Sequence, residues 1–331
     1  MRGYRIAEQT AVMDVRRQGS ELARSLGFSE EDCGRVALIL TELGTNLLKH
    51  AQSGEILIGP ARVATAHPCL DILALDQGPG MDLRQSLRDG YSTAGSSGTG
   101  LGAVQRQSTA FDAFTTAGHG TAIHVQVCPG KSSFQSTDKI GWGALVRPLP
   151  GEEMCGDAVA VKELNGRFIA MVIDGLGHGA FAADAAQTAA DIFGRNNSPD
   201  AEEIVNAIHA GLRATRGAAV AVTVLEPMRG LATFCGIGNI AGTLVSHGFV
   251  KKMVSQNGTA GLVARRIQGF QYPISGETLL VMHSDGLSGS WTLAGYPGLA
   301  QSEPTLIASV LYRDFGRSRD DASVLVARTA A

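Results

Sequence analysis

Residues 156–179, GDAVAVKELNGRFIAMVIDGLGHG, decide how the second half of the chain folds. Two alternating apolar and polar segments, DAVAVKEL and RFIAMVID, flank Asn165-Gly166, the pair best suited to a two-residue turn with positive φ at both positions. The stretch therefore predicts an antiparallel hairpin. Antiparallel pairing carries Asp157, at the start of one strand, and Asp174, at the end of the other, to the same end of the sheet. Two carboxylates held close repel one another unless a cation lies between them.

Outward from this hairpin, GWGALVRPLP (141–150) precedes it, and helical stretches are expected at about 178–194 and 200–214. Strand-like segments follow: AAVAVTVLE (218–226), GLATFCGIG (230–238), AGTLVSH (241–247), ETLLVMHSD (277–285) and ASVLVAR (322–328). Strands on both sides of a helical pair imply an α+β arrangement of sheets covered by helices rather than alternating βαβ units. HSDG (283–286) ends one strand with Asp285, and RDDAS (319–323) opens another with Asp320 and Asp321. Hard carboxylate oxygens without paired cysteines suit Mg²⁺ or Mn²⁺ better than zinc. Taken singly, each aspartate also fits an ordinary Asp-Gly turn or a solvated strand end.

The first part of the chain reads differently. Ser29 followed by Glu30, Glu31 and Asp32 marks a helix start, and Val36, Leu40, Leu43 and Leu47 continue an apolar stripe to about Ala51. GEILIG (54–59), CLDILAL (69–75) and TAIHVQV (121–127) read as strands, with a helix at 101–108. Helices on one face of a mixed sheet are expected. CPGKSSFQSTDK (128–139) breaks the apolar alternation, giving an N-terminal domain 1–128, a linker 129–140 and a C-terminal domain 141–331.

Composition narrows the classes. The 331 residues carry 28 basic and 31 acidic side chains, a net charge of -3, with 44% hydrophobic and 18% charged residues. No basic surface announces nucleic acid, and no apolar run approaches the roughly 18 residues of a membrane span. Cysteines 33, 69, 128, 155 and 235 show neither CxxC pairs nor metal-like spacing. With an N-terminus, MRGYRIAEQT, unlike a signal peptide, they read as reduced thiols in a cytoplasmic protein. Many of the 42 glycines cluster beside aspartates, where bare backbone can approach phosphate.

On the first predicted helix, Glu42 and Asn46 are spaced i, i+4, with Lys49 beyond them. The spacing alone also fits a solvated helix face. Asp76, Gly78 and Gly80 of DQGPG follow a strand: an aspartate can accept from an exocyclic amine while the glycines admit a flat ring, although a plain Gly-Pro turn has the same letters. In SSGTGLG (96–102), Gly98, Gly100 and Gly102 precede a helix whose free N–H groups can cradle phosphates, and Thr121 opens the last strand.

These elements, in this order, resemble the Bergerat-fold (GHKL) ATPases, and in particular the RsbT-like switch kinases. The resemblance implies an α/β sandwich binding ATP and Mg²⁺, with Glu42 as base or water-positioning residue and Asn46 as magnesium ligand. It implies adenine on Asp76, Gly78 and Gly80, with Lys49, Gly98, Thr99, Gly100, Leu101, Gly102 and Thr121 completing the nucleotide site. It also implies phosphorylation of a serine on a STAS-domain antagonist.

GD, DGLGHG, GN (Gly238-Asn239), SDG and DDAS together resemble PP2C-type phosphatases of the SpoIIE and RsbX branch. That resemblance implies two Mg²⁺ or Mn²⁺ ions, with Asp174 bridging them, the Gly175 carbonyl on one, and Asp285 and Asp320 on the other. It further implies that Asp157 binds or orients a metal-bound water, with Asp321 the second choice for the last ligand. His178 and Arg147 are further candidates, for leaving-group and phosphate contacts.

The joint expectation is a bifunctional partner-switching regulator, serine kinase and phosphoserine phosphatase, acting on a STAS-domain or stressosome-type protein, with no nucleic-acid or membrane partner. The alternative is a phosphatase whose first domain only senses nucleotide or binds a partner.

Overall fold

The computed structural model describes residues 1–61, 68–87, 100–131, 140–246 and 249–330. By packing, the chain divides into one unit of Met1–Ser136 with Leu293–Arg313 and another of Thr137–Thr292 with Asp314–Ala331.

The first unit runs β1 (Arg2–Ile6), α1 (Gln9–Ser25), α2 (Glu30–Asn46), a π turn (Leu47–Ala51), β2 (Gly54–Pro60), β3 (Leu70–Leu75), α3 (Leu83–Ser86), α4 (Gly100–Gln107), β4 (Ala110–Thr116) and β5 (Gly120–Val127). Its five strands lie in the order β1-β2-β3-β5-β4. Every pairing is antiparallel, which corrects the expectation of a mixed sheet. The physical reason is the short Thr116–Gly120 return, which sends β5 back between β4 and β3 without a parallel crossover. Val12, Val15 and Ala23 of α1 and Val36, Ile39, Leu40 and Leu43 of α2 close over Ile56, Ile58, Ile72 and Val125. Each such side chain contributes on the order of 1.5–3 kcal/mol through burial.

α2 starts where the sequence indicates: the Ser29 hydroxyl accepts from the Asp32 amide at 3.1 Å, and three acidic residues occupy the first turn, favourable to the helix dipole. Buried Arg35 then pins the helix to its surroundings. Its guanidinium pairs with Asp32 at 2.6 Å and donates to the carbonyls of Gln107 and Cys128. The helices α1 and α4 complete the layer, α1 being an element the sequence reading passes over.

The strands β3 and β5 also hold a surprise. Their register pairs Leu70 with Val127, so Cys69 and Cys128 come next to each other, 4.4 Å apart at Cα, and form a disulfide. The expectation of five reduced thiols is thereby corrected: sequence spacing hid a cross-strand pair 59 positions apart. Cys33, Cys155 and Cys235 are unbridged.

The second unit contains β6 (Ile140–Arg147), β7 (Asp157–Leu164), β8 (Arg167–Gly175), α5 (Ala180–Arg195), α6 (Ala201–Gly211), β9 (Ala218–Glu226), β10 (Leu231–Ile237), β11 (Ala241–Ser246), β12 (Phe249–Met253), β13 (Gly258–Thr259), β14 (Val263–Ala264), β15 (Gly269–Pro273) and β16 (Thr278–His283). After α7 (Pro304–Phe315), most of which packs with the first unit, β17 (Ala322–Thr329) closes the fold. Two five-stranded sheets result, β15-β10-β9-β8-β7 and β12-β11-β16-β17-β6.

Strand alternation explains the layers. Phe168, Ala170 and Val172 face Leu244, Leu280, Met282 and Leu325 between the sheets, whereas Ile169, Met171 and Ile173 face Ala185, Ala189, Phe193, Ile204 and Ile208 of α5 and α6. The predicted hairpin is present, with φ of 52° at Asn165 and 75° at Gly166, and its register sets Asp157 directly across from Asp174.

Candidate functional site

In the first unit, a small cavity is lined by Asn46, Leu47 and His50 from the end of α2 and its π turn, and by Asp76, Gly80, Met81 and Thr121 from the sheet side. Leu43, Asn46, Leu47 and His50 follow the i, i+3, i+4, i+7 spacing of one helix face, and Ala51 at the end of the π turn lines the same wall. Asp76 is fixed by two backbone amides, Gly78 at 2.8 Å and Thr121 at 3.2 Å, both donating to Oδ1. Burial pushes its carboxyl above the usual range, against these hydrogen bonds. Gly120 permits the close approach: with φ of 85°, a side-chain carbon there would sit 2.0 Å from the Asp76 carbonyl oxygen.

The sequence-derived residues divide accordingly. Asn46, Asp76, Gly80 and Thr121 line the cavity, and Gly78 holds Asp76. Glu42 is half-buried one helical turn before Asn46 and does not line the cavity, and Lys49 is exposed. Gly100, Leu101 and Gly102 form the first turn of α4. Gly98 and Thr99 lie outside the described residues. His50, Met81 and Thr115, whose Oγ1 accepts from the Met81 amide at 3.0 Å, were missed. His50 stands three residues after Leu47 and seven after Leu43, so the helical period already places it on this face.

In the second unit, the β7–β8 pair presents Asp157 and Asp174 at one end. Asp157 is buried, and its Oδ2 accepts from the Ser284 hydroxyl, which in turn accepts from the Ser323 amide at 3.1 Å. Asp285 accepts from Asn239 Nδ2 at 2.7 Å. Both carboxylate oxygens of Asp321 are taken by backbone amides, Leu149 at 2.6 Å and Gly156 at 2.8 Å, whereas Asp320 accepts the Asp321 amide at 2.9 Å. Gly286 lets the Asp285 turn press against this loop: a side-chain carbon would lie 1.9 Å from the Asp321 carbonyl oxygen. His178 is exposed and pairs with Glu152 at 3.0 Å. Arg147 ends β6, opposite Ala322.

Burial dominates the electrostatics, and charge crowding adds to it. Burial, reinforced by Asp157, Asp285, Asp320 and Asp321, pushes Asp174 up to about 8. Burial, with Asp321 and Asp320 adding to it against the Ser284 hydrogen bond, pushes Asp157 up to about 7. Among the described residues, no three acidic, imidazole or thiol side chains converge tightly enough to close a metal shell as they stand. The cluster nevertheless fits a hard divalent cation: buried carboxylates that raise one another's proton affinity are what such an ion relieves.

Residues 6–127 match the histidine kinase-like ATPase domain. The serine/threonine-protein kinase RsbT of Bacillus subtilis (strain 168) is 37% identical over 121 residues, 36% of this chain and 90% of RsbT. The chain belongs to the histidine kinase-like ATPase family.

The phosphoserine phosphatase RsbX of the same organism is 28% identical over 90 residues, 27% of this chain and 45% of RsbX, so less than half of that relative is spanned. A solved chain described under "The bacterial stressosome: a modular system that has been adapted to control secondary messenger signaling" is 30% identical, with a TM-score of 0.52, covering 57% of this chain and 99% of that one. Among the described residues, no helix is long and apolar enough to cross a membrane.

Proposed function

We propose that this chain is a partner-switching regulator carrying a phosphoserine phosphatase and an ATP-dependent serine kinase, acting on a STAS-domain or stressosome-type protein. The single observation that carries the phosphatase reading is the opposed pair Asp157 and Asp174, crowded by Asp285 and Asp320. Asp174, the Gly175 carbonyl, Asp285 and Asp320 would hold divalent cations, with Asp157 beside them. A Mg²⁺ or Mn²⁺ ion bound there supplies Lewis-acid activation and neutralises phosphate charge.

The remaining work falls to the chain itself. The relay from the Ser323 amide through the Ser284 hydroxyl orients Asp157, and Asn239 orients Asp285. Asp321 ties the β17 entry to Leu149 and Gly156, so that Asp320 projects from a fixed backbone. In the first unit, Asp76 would receive the adenine amine, Thr121 would support it, and Asn46 would serve the phosphate end with Mg²⁺. In-line transfer to a serine hydroxyl then requires a residue to orient that hydroxyl, the role assigned to Glu42. The boundaries that go with this reading are 1–128, 129–140 and 141–331.

Release of phosphate from a phosphorylated STAS protein in Mg²⁺ or Mn²⁺ tests the reading. Wild-type protein is expected to release it and Asp174→Asn to fail. Equal rates for the two, or no release by the wild type, overturn it.

A further inference from the structure

The phosphatase cluster is acidic throughout, yet its proposed substrate is a phosphate dianion. An exposed guanidinium stands at its edge, that of Arg216. Arg216 lies in the bend before β9, where the Leu176 amide donates to the Gly217 carbonyl at 3.0 Å and the strand pairs Asp174 with Ala219. A side-chain carbon built on Gly177 would be 3.5 Å from Arg216 Nη1, so the guanidinium borders the same loop that carries Asp174 and Gly175.

Its position is built. The Arg216 guanidinium carbon sits 4.5 Å from the centre of the Phe181 ring, at the first turn of α5, and that ring is 65% exposed. Stacking holds the guanidinium plane while leaving its N–H edge for a planar or tetrahedral oxyanion. The bend beneath is equally constrained. Thr215 Oγ1 donates to the Leu212 carbonyl at 2.7 Å and accepts from the Gly217 amide at 3.0 Å, and Gly217 has a φ of 80° against the Ala260 carbonyl. An arginine held this way beside an acidic cluster, stacked on an aromatic ring, suits a ligand that brings its own negative charge.

We infer that Arg216 is a substrate-binding residue of the phosphatase site, donating to the phosphoryl oxygens of the incoming phosphomonoester from the Gly177 side. Phe181 is its positioning residue. This rests on the phosphatase reading above, and it concerns a cation the motif pattern does not flag.

The test uses the full chain with Mn²⁺, p-nitrophenyl phosphate as substrate and inorganic phosphate as competitive inhibitor. Arg216→Ala is expected to raise both KM and the inhibition constant for phosphate by about tenfold, the loss of a charge-assisted contact, with kcat within about twofold. Arg216→Lys, which keeps charge but not the fork, falls between, and Phe181→Ala shifts both constants in the same direction. A merely structural role would not move the phosphate inhibition constant in parallel with KM. An active wild type whose KM and phosphate inhibition are unchanged in Arg216→Ala overturns this inference alone. An inactive wild type overturns the phosphatase reading, and this inference with it.

Discussion

Asp157 and Asp174 occupy directly opposed positions on the β7–β8 ladder, and neither is neutralised by a basic side chain of the hairpin. The fold therefore resists negative charge at this end of the sheet unless a proton or a cation compensates it. Folded Asp157 and Asp174 titrate at about 7 and about 8, so between roughly pH 4, where an unfolded aspartate titrates, and those values the metal-free fold holds protons that the unfolded chain has released. Stability of the metal-free protein falls as pH rises through that window. A divalent ion replaces those protons, so its stabilising effect should be larger at pH 8 than at pH 6. At a hundredfold excess over the dissociation constant, about 2.7 kcal/mol is expected, a rise of roughly 5–10 °C in Tm. Thermal melts in EDTA and in Mn²⁺ at the two pH values check this; a Mn²⁺ effect independent of pH contradicts it.

Asp320 and Asp321 should separate cleanly by mutation. Asp321→Ala leaves the buried amides of Leu149 and Gly156 without acceptors, a cost of about 1–3 kcal/mol for each. It should lower Tm in EDTA. Asp320→Ala should leave the EDTA melt within a few degrees of wild type and remove most of the Mn²⁺-dependent rise. Calorimetry on both variants, with and without metal, decides between them.

The disulfide makes a chemical prediction. Denatured, unreduced protein should present three thiols to a thiol reagent, from Cys33, Cys155 and Cys235, and five after reduction. Cys69→Ser with Cys128→Ser should cost about 2–4 kcal/mol, read as a lower denaturation midpoint. Five thiols before reduction would remove the cross-link from the account.

Much of this architecture was legible because local chemistry and global fold agree. Asn165-Gly166 needs positive φ at both positions and finds it, and that turn alone sets the register that opposes Asp157 and Asp174. Ser29 and its three following acids mark the start of α2 for the same reason. What stayed hidden depends on partners distant in sequence. Cys69 and Cys128 meet only because β5 returns beside β3. The Leu293–Arg313 segment reads as part of the second domain, yet it packs with the first unit, where the Glu303 amide donates to Asp112 at 2.8 Å and the Tyr296 ring lies 6.2 Å from Phe114. Asp320 and Asp321 are adjacent and chemically identical; only the amides they meet tell the ligand candidate from the structural residue.

The nucleotide cavity supports a binding prediction. Asp76→Asn keeps an acceptor for the Gly78 and Thr121 amides but loses the carboxylate for the adenine amine, so ATP affinity should fall about tenfold or more with little change in Tm. Asn46→Ala should weaken binding chiefly when Mg²⁺ is present. Titration of a fluorescent ATP analogue, with and without Mg²⁺, checks both; equal loss in the two conditions removes Asn46 from the magnesium site.

Glu42 decides between a kinase and a nucleotide sensor. It sits one helical turn before Asn46 on α2 and is not among the residues lining the cavity, so its loss is expected to leave nucleotide binding largely intact. Glu42→Ala should therefore bind ATP within about twofold of wild type, because no contact in the cavity is lost. If the unit transfers phosphate, the same substitution should lower transfer from labelled ATP to a STAS serine by roughly 10²-fold or more, the usual scale for a group that orients or deprotonates the attacking hydroxyl. A sensor gives a different pair of results: no transfer by the wild type, and a phosphatase rate that changes with ATP or ADP in both wild type and Glu42→Ala. Measured together on one preparation, binding, transfer and phosphate release assign the carboxylate to chemistry or leave it as part of the helix.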